Sequence, residues 1–253
     1  MNTKNFRTRM LQRELLIGIF LKTPALENIE VLALAGLDFI CLDCEHAPIG
    51  RRDMDACVAM GRALDIPILI RVPEGSRVEI LKALDVGATG IVVPHVNNVE
   101  KAHNISLYAR FGHGGRGFAG STRWANYTTN TMTELIARSL KETVVIAQIE
   151  EPEALDAIDE IAGTEGIDGL FIGPADLAVC LNESSPDCES VNKAMATVAA
   201  AAKSNKKCAL TFIPDTKSAA KLQTLGLTMF CIGSEQSLIL AGARQVMAAI
   251  AET

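Results

Sequence analysis

The chain has 253 residues, of which 49% are hydrophobic and 21% charged, a composition typical of a globular protein and not of a disordered one. Its formal net charge of −6 offers no basic surface to a phosphate backbone, so we expect no nucleic-acid partner. No apolar run approaches the roughly 18 residues that cross a bilayer, so we expect no membrane insertion and a cytoplasmic protein. Seven scattered cysteines, several of them within apolar runs, are typical of reduced core thiols.

Short apolar runs alternate with longer segments of helical period about eight times along the chain, without a break in composition. This rhythm predicts parallel strands joined by crossover helices, and eight strands suit a closed barrel better than an open sheet. We therefore expect an α/β fold, a (β/α)8 TIM barrel that forms a single domain over residues 1–253. The predicted strands are residues 15–20, 39–43, 68–71, 90–93, 144–150, 169–172, 208–212 and 229–233. The predicted helices are residues 24–35, 52–64, 76–86, 98–109, 152–161, 191–203, 216–225 and 234–250.

One segment, residues 111–131, breaks the alternation. It is rich in Gly, Ser, Thr and Asn, and it is longer than an ordinary connection between two elements. We interpret it as a functional loop within the single domain.

Polar residues at the ends of the predicted strands are the candidates for chemistry, because the βα loops of a barrel meet at the C-terminal ends of its strands. The candidates, in chain order, are Asp43, Glu45 and His46 after the second strand, Arg71 at the end of the third, Gln148 and Glu150 on the fifth, and Gly173, Pro174, Ala175 and Asp176 after the sixth.

Glu150 and Asp176 lie at the mouths of adjacent predicted strands. Two such carboxylates make an oxygen-ligand pair of the kind that holds Mg²⁺ or Mn²⁺ and leaves coordination positions open. An open metal ion polarises a substrate carbonyl. Without a metal, carboxylates this close repel each other, and one of them has to take up a proton. Two other interpretations stay open at this point: Glu150 as an exposed residue at a helix N-terminus, and Asp176 as a helix N-cap.

His46 and Arg71 are the candidate acid/base and the candidate cation. His46 follows Asp43 and Glu45 closely, so a carboxylate can orient the imidazole and raise its basicity, although a lone His beside a turn is also often without function. Arg71 ends an apolar strand, and its charge cannot be buried unpaired. We therefore expect it to reach a carboxylate or a bound anion, such as an enolate oxygen.

These residues stand in motifs that resemble the HpcH/HpaI class II aldolases over nearly the whole chain. The motifs occur in the family's order and are LDCEHAP at 42–48, ALDVGA at 83–88, VVP at 92–94, RGF at 116–118 with Arg123, QIE at 148–150 and FIGPADL at 171–177. Several independent motifs in one order make coincidence improbable.

The resemblance implies a role for each matching residue. Glu150 and Asp176 resemble the family's ligands for a divalent metal ion (Mg²⁺, Mn²⁺ or Co²⁺), and Arg71 resembles the residue that faces the keto or enolate oxygen. His46, paired with Asp43, resembles the acid/base that works through water. Gln148 and the backbone N–H groups around Gly173, Pro174 and Ala175 would hold pyruvate. The family needs no Schiff-base lysine, and we find none at a predicted strand end.

The implied reaction is the reversible cleavage of a 4-hydroxy-2-oxo acid, such as a 2-keto-3-deoxy sugar acid, to pyruvate and an aldehyde. The class is that of the aldehyde-lyases. The resemblance also implies a homo-oligomer, a hexamer built as a trimer of dimers, in which the last helix, about residues 234–250, is exchanged between subunits. Two alternatives stay open: an acyl-CoA lyase like the citrate lyase β branch, and a barrel without catalysis that serves as a binding scaffold.

The sequence also departs from the family pattern in ways that bear on the aldehyde. Cys44 stands where the family commonly has Gly, and Leu210 and Phe212 on the seventh strand are larger than the residues of many members. We place Phe212 on the aldehyde side of the substrate pocket. Residues 180–190 lack the usual features after the sixth strand, so the resemblance predicts pyruvate handling but not the aldehyde.

Overall fold

The computed structural model describes residues 2–251 and shows a barrel of parallel strands that closes in chain order. The strands are β1 (Leu16–Leu21), β2 (Phe39–Asp43), β3 (Ile68–Arg71), β4 (Gly90–Val93), β5 (Val144–Ile149), β6 (Gly169–Ile172), β7 (Cys208–Ile213) and β8 (Met229–Ser234). The helices are α1 (Asn2–Leu11), α2 (Leu26–Leu34), α3 (Arg51–Ala63), α4 (Arg77–Asp85), α5 (Val99–Tyr108), α6 (Met132–Glu142), α7 (Glu153–Asp156), α8 (Ile158–Gly163), α9 (Pro174–Cys180), α10 (Glu189–Ser204), α11 (Ala219–Thr224) and α12 (Glu235–Ala251). A short 3-10 helix (Thr216–Ser218) precedes α11.

The predicted (β/α)8 TIM barrel is confirmed. Strands β2, β3, β4 and β6 have the predicted bounds, β5, β7 and β8 differ by one residue at their last position, and β1 is shifted by one residue at both ends. Parallel strands of a barrel are covered on both faces, so they read as continuous apolar runs, and every residue of β5 is buried. This is why periodicity located the strands well.

The core has two layers. The larger one lies between the barrel and its outer helices and includes Ile40, Ile70 and Ile172. The smaller one fills the barrel itself and includes Phe39, Leu69 and Phe171. Gly18 on β1 leaves room for the inner layer, because a Cβ there would lie 2.5 Å from the Phe39 ring. Of the cysteines, Cys41, Cys57, Cys208 and Cys231 are buried, as expected for core thiols.

Helix α1 closes the N-terminal end of the barrel and was not predicted. Its composition is polar, but Phe6 and Met10, four residues apart on one face, are fully buried in the inner core. The Arg7 guanidinium donates to Asp168 Oδ1 at 2.7 and 2.9 Å and ties the helix to the start of β6. Two apolar side chains in a polar segment give too little periodicity to show a helix.

Other differences are local. Helices α6 and α9 were not predicted, and the helix expected over residues 152–161 is two short helices, α7 and α8, that meet at Ala157. The segment 111–131 contains turns and an isolated β-bridge between Phe111 and Arg116, and Thr131 at its end caps α6 through a hydrogen bond from the Glu134 backbone N–H.

Helix α12 has the predicted position but packs little against the barrel. Glu235 at its start is buried, whereas Leu238, Ile239, Val246 and Met247 are each more than half exposed. None of the helices between residues 2 and 251 combines the length and apolarity needed to cross a membrane.

Candidate active site

The C-terminal ends of the strands surround a cavity of about 360 Å³, at the lower end of the roughly 300–1,000 Å³ found for small-molecule sites. Of the residues predicted to be catalytic or to bind metal, His46, Arg71 and Asp176 line it, whereas Asp43 and Glu150 do not. The lining also includes every residue predicted to bind substrate, namely Gln148, Gly173, Pro174, Ala175 and Phe212. Barrel closure therefore brings the strand-end residues together at one mouth.

Asp43 and Arg71 form a buried pair beneath this cavity. They are direct neighbours in the β2–β3 register, and Arg71 Nε and Nη2 donate to the two Asp43 oxygens at 3.0 and 2.9 Å. Burial by itself would raise the pKa of Asp43, but the hydrogen bonds and charge of Arg71 lower it below its ordinary value. Arg71 Nε also lies 3.2 Å from Glu45 Oε2. The expected carboxylate partner of Arg71 is thus present, and it fixes the guanidinium at the cavity.

His46 differs from the expectation in its contact with Asp43. Asp43 Oδ1 accepts the His46 backbone N–H at 3.2 Å, whereas the imidazole Nε2 lies 3.7 Å from Glu45 Oε2. The pairing of the imidazole with Asp43 was therefore wrong, because Arg71 occupies both Asp43 oxygens. The His46 side chain is 59% exposed and lines the cavity, so the imidazole is accessible at the mouth of the barrel.

Glu150 is 3% exposed, so the alternative of an exposed helix-terminal residue is wrong. Its two oxygens face different neighbours. Oε1 accepts the His95 backbone N–H at 2.8 Å and lies 3.1 Å from His95 Nδ1. Oε2 accepts a hydrogen bond from Gln148 Nε2. Because both oxygens of this buried carboxylate accept hydrogen bonds, its position is fixed, and it is well placed to bind a cation.

Gly173 separates Glu150 from Asp176. A Cβ at Gly173 would lie 3.2 Å from Glu150 Oε2 and 3.4 Å from Asp176 Oδ2, so both carboxylates border the space that this glycine leaves open. Asp176 is exposed and stands in the first turn of α9, while the N-cap of that helix is Gly173. The alternative of Asp176 as an N-cap is therefore wrong, and its carboxylate is available to a ligand.

A histidine that the sequence interpretation missed lies beside Glu150. His95 follows β4 with φ of 56°, and its Nδ1 lies 2.9 Å from Glu151 Oε1. His95, Glu45 and Glu150 each offer a ligand atom, all within 4.8 Å of one another. The position of His95 directly after the Pro94 that follows a strand could have revealed it. Glu150 therefore belongs to two groups of possible metal ligands: His95 lies at its Oε1, whereas Asp176 lies near its Oε2.

Lys22 is a second missed residue. We found no lysine at a predicted strand end, but β1 ends at Leu21, so Lys22 follows it directly and lines the cavity. Its Nζ lies 3.3 Å from Asp43 Oδ2. The predicted strand ended at Phe20, and the one-residue error concealed the lysine.

A closed parallel barrel with buried carboxylates, a fixed arginine and an exposed histidine at its mouth offers groups that can stabilise negative charge on a substrate oxygen. The model of the HpcH/HpaI aldolase/citrate lyase family matches residues 16–241, and the chain belongs to this family.

Individual relatives make the class specific. The chain is 32% identical over 250 residues to a 5-keto-4-deoxy-D-glucarate aldolase of Escherichia fergusonii, and the matched region covers 95% of this chain and 94% of the relative. A solved HpcH/HpaI aldolase/citrate lyase family protein from Burkholderia cenocepacia has a TM-score of 0.92 and 30% identity, with 98% of this chain and 99% of that chain covered. A solved citrate synthase, SbnG, has a TM-score of 0.87, 26% identity and 97% of both chains covered. The protein is a class II aldolase, a carbon–carbon lyase.

Proposed function

We propose that this aldolase reversibly cleaves a 4-hydroxy-2-oxo acid, such as a 2-keto-3-deoxy sugar acid, to pyruvate and an aldehyde. The observation that carries the proposal is the pair of carboxylates, Glu150 and Asp176, that border the open space beside Gly173. Gly173 and Asp176 line the same cavity as Arg71. The relative from Escherichia fergusonii, named for a keto-deoxy sugar acid, supports this substrate class.

Glu150 and Asp176 fit a divalent metal ion, Mg²⁺, Mn²⁺ or Co²⁺. Both offer carboxylate oxygens, which these ions prefer, and a side chain at position 173 would fill the space that they border. When bound, the ion supplies a positive charge that polarises the keto group of the substrate. His95 would then support Glu150 from its other oxygen, Oε1, as residues behind a metal ligand do.

Arg71, Gln148 and the start of α9 would orient the keto acid. Arg71 is fixed by Asp43 and presents its guanidinium to the cavity, where it would stabilise the charge that develops on the enolate oxygen. Gln148 is 1% exposed and lines the same cavity. Among residues 173–175, the backbone N–H of Ala175 would bind the substrate carboxylate, because Pro174 has no N–H and the Gly173 N–H donates to the Ile149 carbonyl at 3.0 Å.

His46 would move the proton. Cleavage requires removal of the proton from the 4-hydroxyl group, after which the electrons of the C3–C4 bond pass to the 2-oxo group and the aldehyde leaves. Because the imidazole of His46 is exposed at the cavity, a water molecule can carry the proton between the hydroxyl group and a ring nitrogen. Protonation at C3 then gives pyruvate.

The experiment measures pyruvate release from a panel of 4-hydroxy-2-oxo acids with a coupled dehydrogenase, with Mg²⁺, Mn²⁺ or chelator present. We expect release that requires the ion, and Glu150→Gln should lower it by about 100-fold or more. Glu160→Gln is the matched control, because Glu160 is an exposed residue of α8.

Each result has a definite meaning. Activity that is indifferent to chelator would exclude the role of the ion. Release of no pyruvate from any substrate would contradict the proposal and favour a binding scaffold, or an acyl-CoA lyase if acyl-CoA esters are cleaved instead.

We also propose that the chain forms a homohexamer, a trimer of dimers, in which α12 packs on a neighbouring subunit. The support is the exposed apolar surface of α12, where Leu238, Ile239, Val246 and Met247 are each more than half exposed. Light scattering should give a hexamer for the full chain and a smaller species for Val246→Glu. The same change at the neighbouring polar residue, Gln245→Glu, is the control, and an unchanged hexamer in both variants would contradict the proposal.

We further propose a cytoplasmic location, where the free thiols stay reduced.

A further inference from the structure

A second cavity, of about 470 Å³, lies at the same end of the barrel, between the loops that follow β3 and β4 and one side of α5. We call it the outer cavity; it is lined by residues 74–77, 93–96, 101, 104, 105 and 108. It shares no described lining residue with the active-site cavity, which measures about 360 Å³. The proposed aldolase chemistry therefore leaves unused a cavity that is large enough for a small molecule.

Part of the outer cavity is apolar. Val93, Pro94, Val96 and Ile105 line it and are buried. The β3–α4 loop packs closely on this apolar part at Gly75, where a Cβ would lie 3.0 Å from Val93 Cγ1 and 3.1 Å from Ile105 Cγ2. Buried apolar walls favour a ligand that brings apolar surface of its own.

The rest of the lining is rich in hydrogen-bond donors. Arg77, Lys101, Asn104 and Tyr108 all line the outer cavity. Among the described residues, none makes a hydrogen bond or an ion pair with the side chains of Arg77, Asn104 or Tyr108. Glu74 is the single carboxylate among the described lining residues, so the two cations outnumber it. Unused donors and a net positive charge favour an anion.

Helix α4 also begins at the outer cavity. Ser76 is its N-cap, and the Ser76 hydroxyl oxygen accepts the Glu79 backbone N–H at 3.3 Å. The earlier N–H groups of a helix have no partner within it, so the positive end of α4 lies where Ser76 and Arg77 line the cavity. A guanidinium group beside it can bind a carboxylate or a phosphate through two parallel hydrogen bonds.

His95 links the outer cavity to Glu150. It lines the outer cavity, its backbone N–H donates to Glu150 Oε1 at 2.8 Å, and its carbonyl oxygen accepts a hydrogen bond from Lys101 Nζ at 2.9 Å. Its φ of 56° is a left-handed conformation, which costs free energy and persists only where neighbouring contacts hold it. An anion that pairs with Lys101 would draw the ammonium group away and remove one of these contacts.

We propose that the outer cavity binds a small organic anion, a carboxylate or a phosphate monoester with an apolar body, and that this anion weakens metal binding at Glu150. The second part rests on the proposed function, because it needs an ion at Glu150, whereas the first part does not. Since the site lies outside the active-site cavity, its occupant acts as an effector and not as a substrate.

Isothermal titration calorimetry of the full chain tests the first part, in buffer with chelator. The probes are hexanoate, phenyl phosphate and the neutral hexanamide, so that carboxylate, phosphate and uncharged ligands are compared. We expect at least one of the two anions to bind and hexanamide not to bind. Arg77→Gln and Lys101→Gln should each raise the Kd of the anion by about 10-fold or more, as the loss of a hydrogen bond between charged groups does.

Arg51→Gln is the matched control for Arg77→Gln. Arg51 is likewise the first residue of a helix and is exposed, but it does not line the outer cavity, so its replacement should leave the Kd as in the wild type. Binding of neither anion to the wild type would overturn the inference. The same Kd in Arg77→Gln as in the wild type would also overturn it, since the anion would then bind elsewhere.

Electron paramagnetic resonance of free Mn²⁺ tests the second part, with and without the anion that binds. We expect the anion to raise the Kd of Mn²⁺ by about 5-fold or more, and Mn²⁺ to raise the Kd of the anion by the same factor, because coupling between two sites is reciprocal. In Lys101→Gln, saturated with the anion, the Kd of Mn²⁺ should not depend on it.

The outcomes of the Mn²⁺ experiment separate the two parts. A wild type that binds both ligands without coupling would overturn the action on Glu150. A wild type that binds the anion but no Mn²⁺ would overturn the proposed metal site and with it the second part, while the anion site would be confirmed.

Discussion

Both ends of the barrel bury charged side chains but use them differently. At the N-terminal end, Asp168 is held by Arg7 and by the Val145 backbone N–H, beneath a plug made by Phe6 and Met10. At the C-terminal end, the Asp43–Arg71 pair lies beneath an open cavity. The same fold thus separates a sealed end that stabilises it from an open end that can bind a ligand.

Breaking the sealed end should have the largest effect on stability. Phe6→Ala removes a fully buried ring that packs 5.7 Å from Phe39, and we expect it to lower the free energy of unfolding by about 3–5 kcal/mol. Urea unfolding measures the change. The folded fraction should retain the wild-type KM for its substrate, because the site lies at the other end of the barrel. A changed KM with unchanged stability would contradict the division between the two ends.

Changing Arg71, the cation at the open end, should lower activity strongly and stability only a little. Arg71→Lys keeps the positive charge near Asp43 but loses the planar fork that makes two parallel hydrogen bonds, so we expect kcat to fall by about 100- to 1,000-fold. Thermal unfolding should change much less than in Phe6→Ala. A variant with normal kcat would show that Arg71 serves stability only.

Removing His46 sharpens the assignment of roles within the open end. Because the imidazole is exposed and makes no hydrogen bond to Asp43, we expect His46→Ala to lower kcat by about 100-fold or more with little change in pyruvate affinity. Steady-state kinetics and pyruvate inhibition measure the two quantities. Losses of equal size in both would indicate a binding role instead.

The smallest expected effect concerns His95, which contacts Glu150 from behind. His95→Ala removes the ring beside Glu150 Oε1 but keeps the backbone N–H donor, so we expect Mn²⁺ affinity to fall by about 10- to 100-fold. Electron paramagnetic resonance of free Mn²⁺ measures the affinity. If His95 were itself a ligand, nitrogen hyperfine coupling to bound Mn²⁺ would be present in the wild type and absent from the variant, and this result would contradict our assignment of His95 as a residue that supports Glu150 from behind.

Much of the fold and part of the site followed from the sequence. Four strands had the predicted bounds, because a strand buried on both faces is a continuous apolar run wherever it occurs. The strand-end residues from Asp43 to Asp176 could be named because polar groups at the end of an apolar run are conspicuous. Helix α1 could not be found this way, since two apolar residues carry its whole burial.

The sequence alone determined the alternation of strands and helices, and with it the barrel and the set of polar residues at one mouth. Only the tertiary structure decided which of these residues touch. Asp43 pairs with Arg71 and not with the His46 imidazole, and His95, which follows another strand, lies against Glu150. Lys22 faces the cavity, and α12 leaves its apolar side chains exposed. The physical reason is that periodicity reports burial along one segment, whereas contacts between residues far apart in the chain depend on how the strands close and where each side chain points.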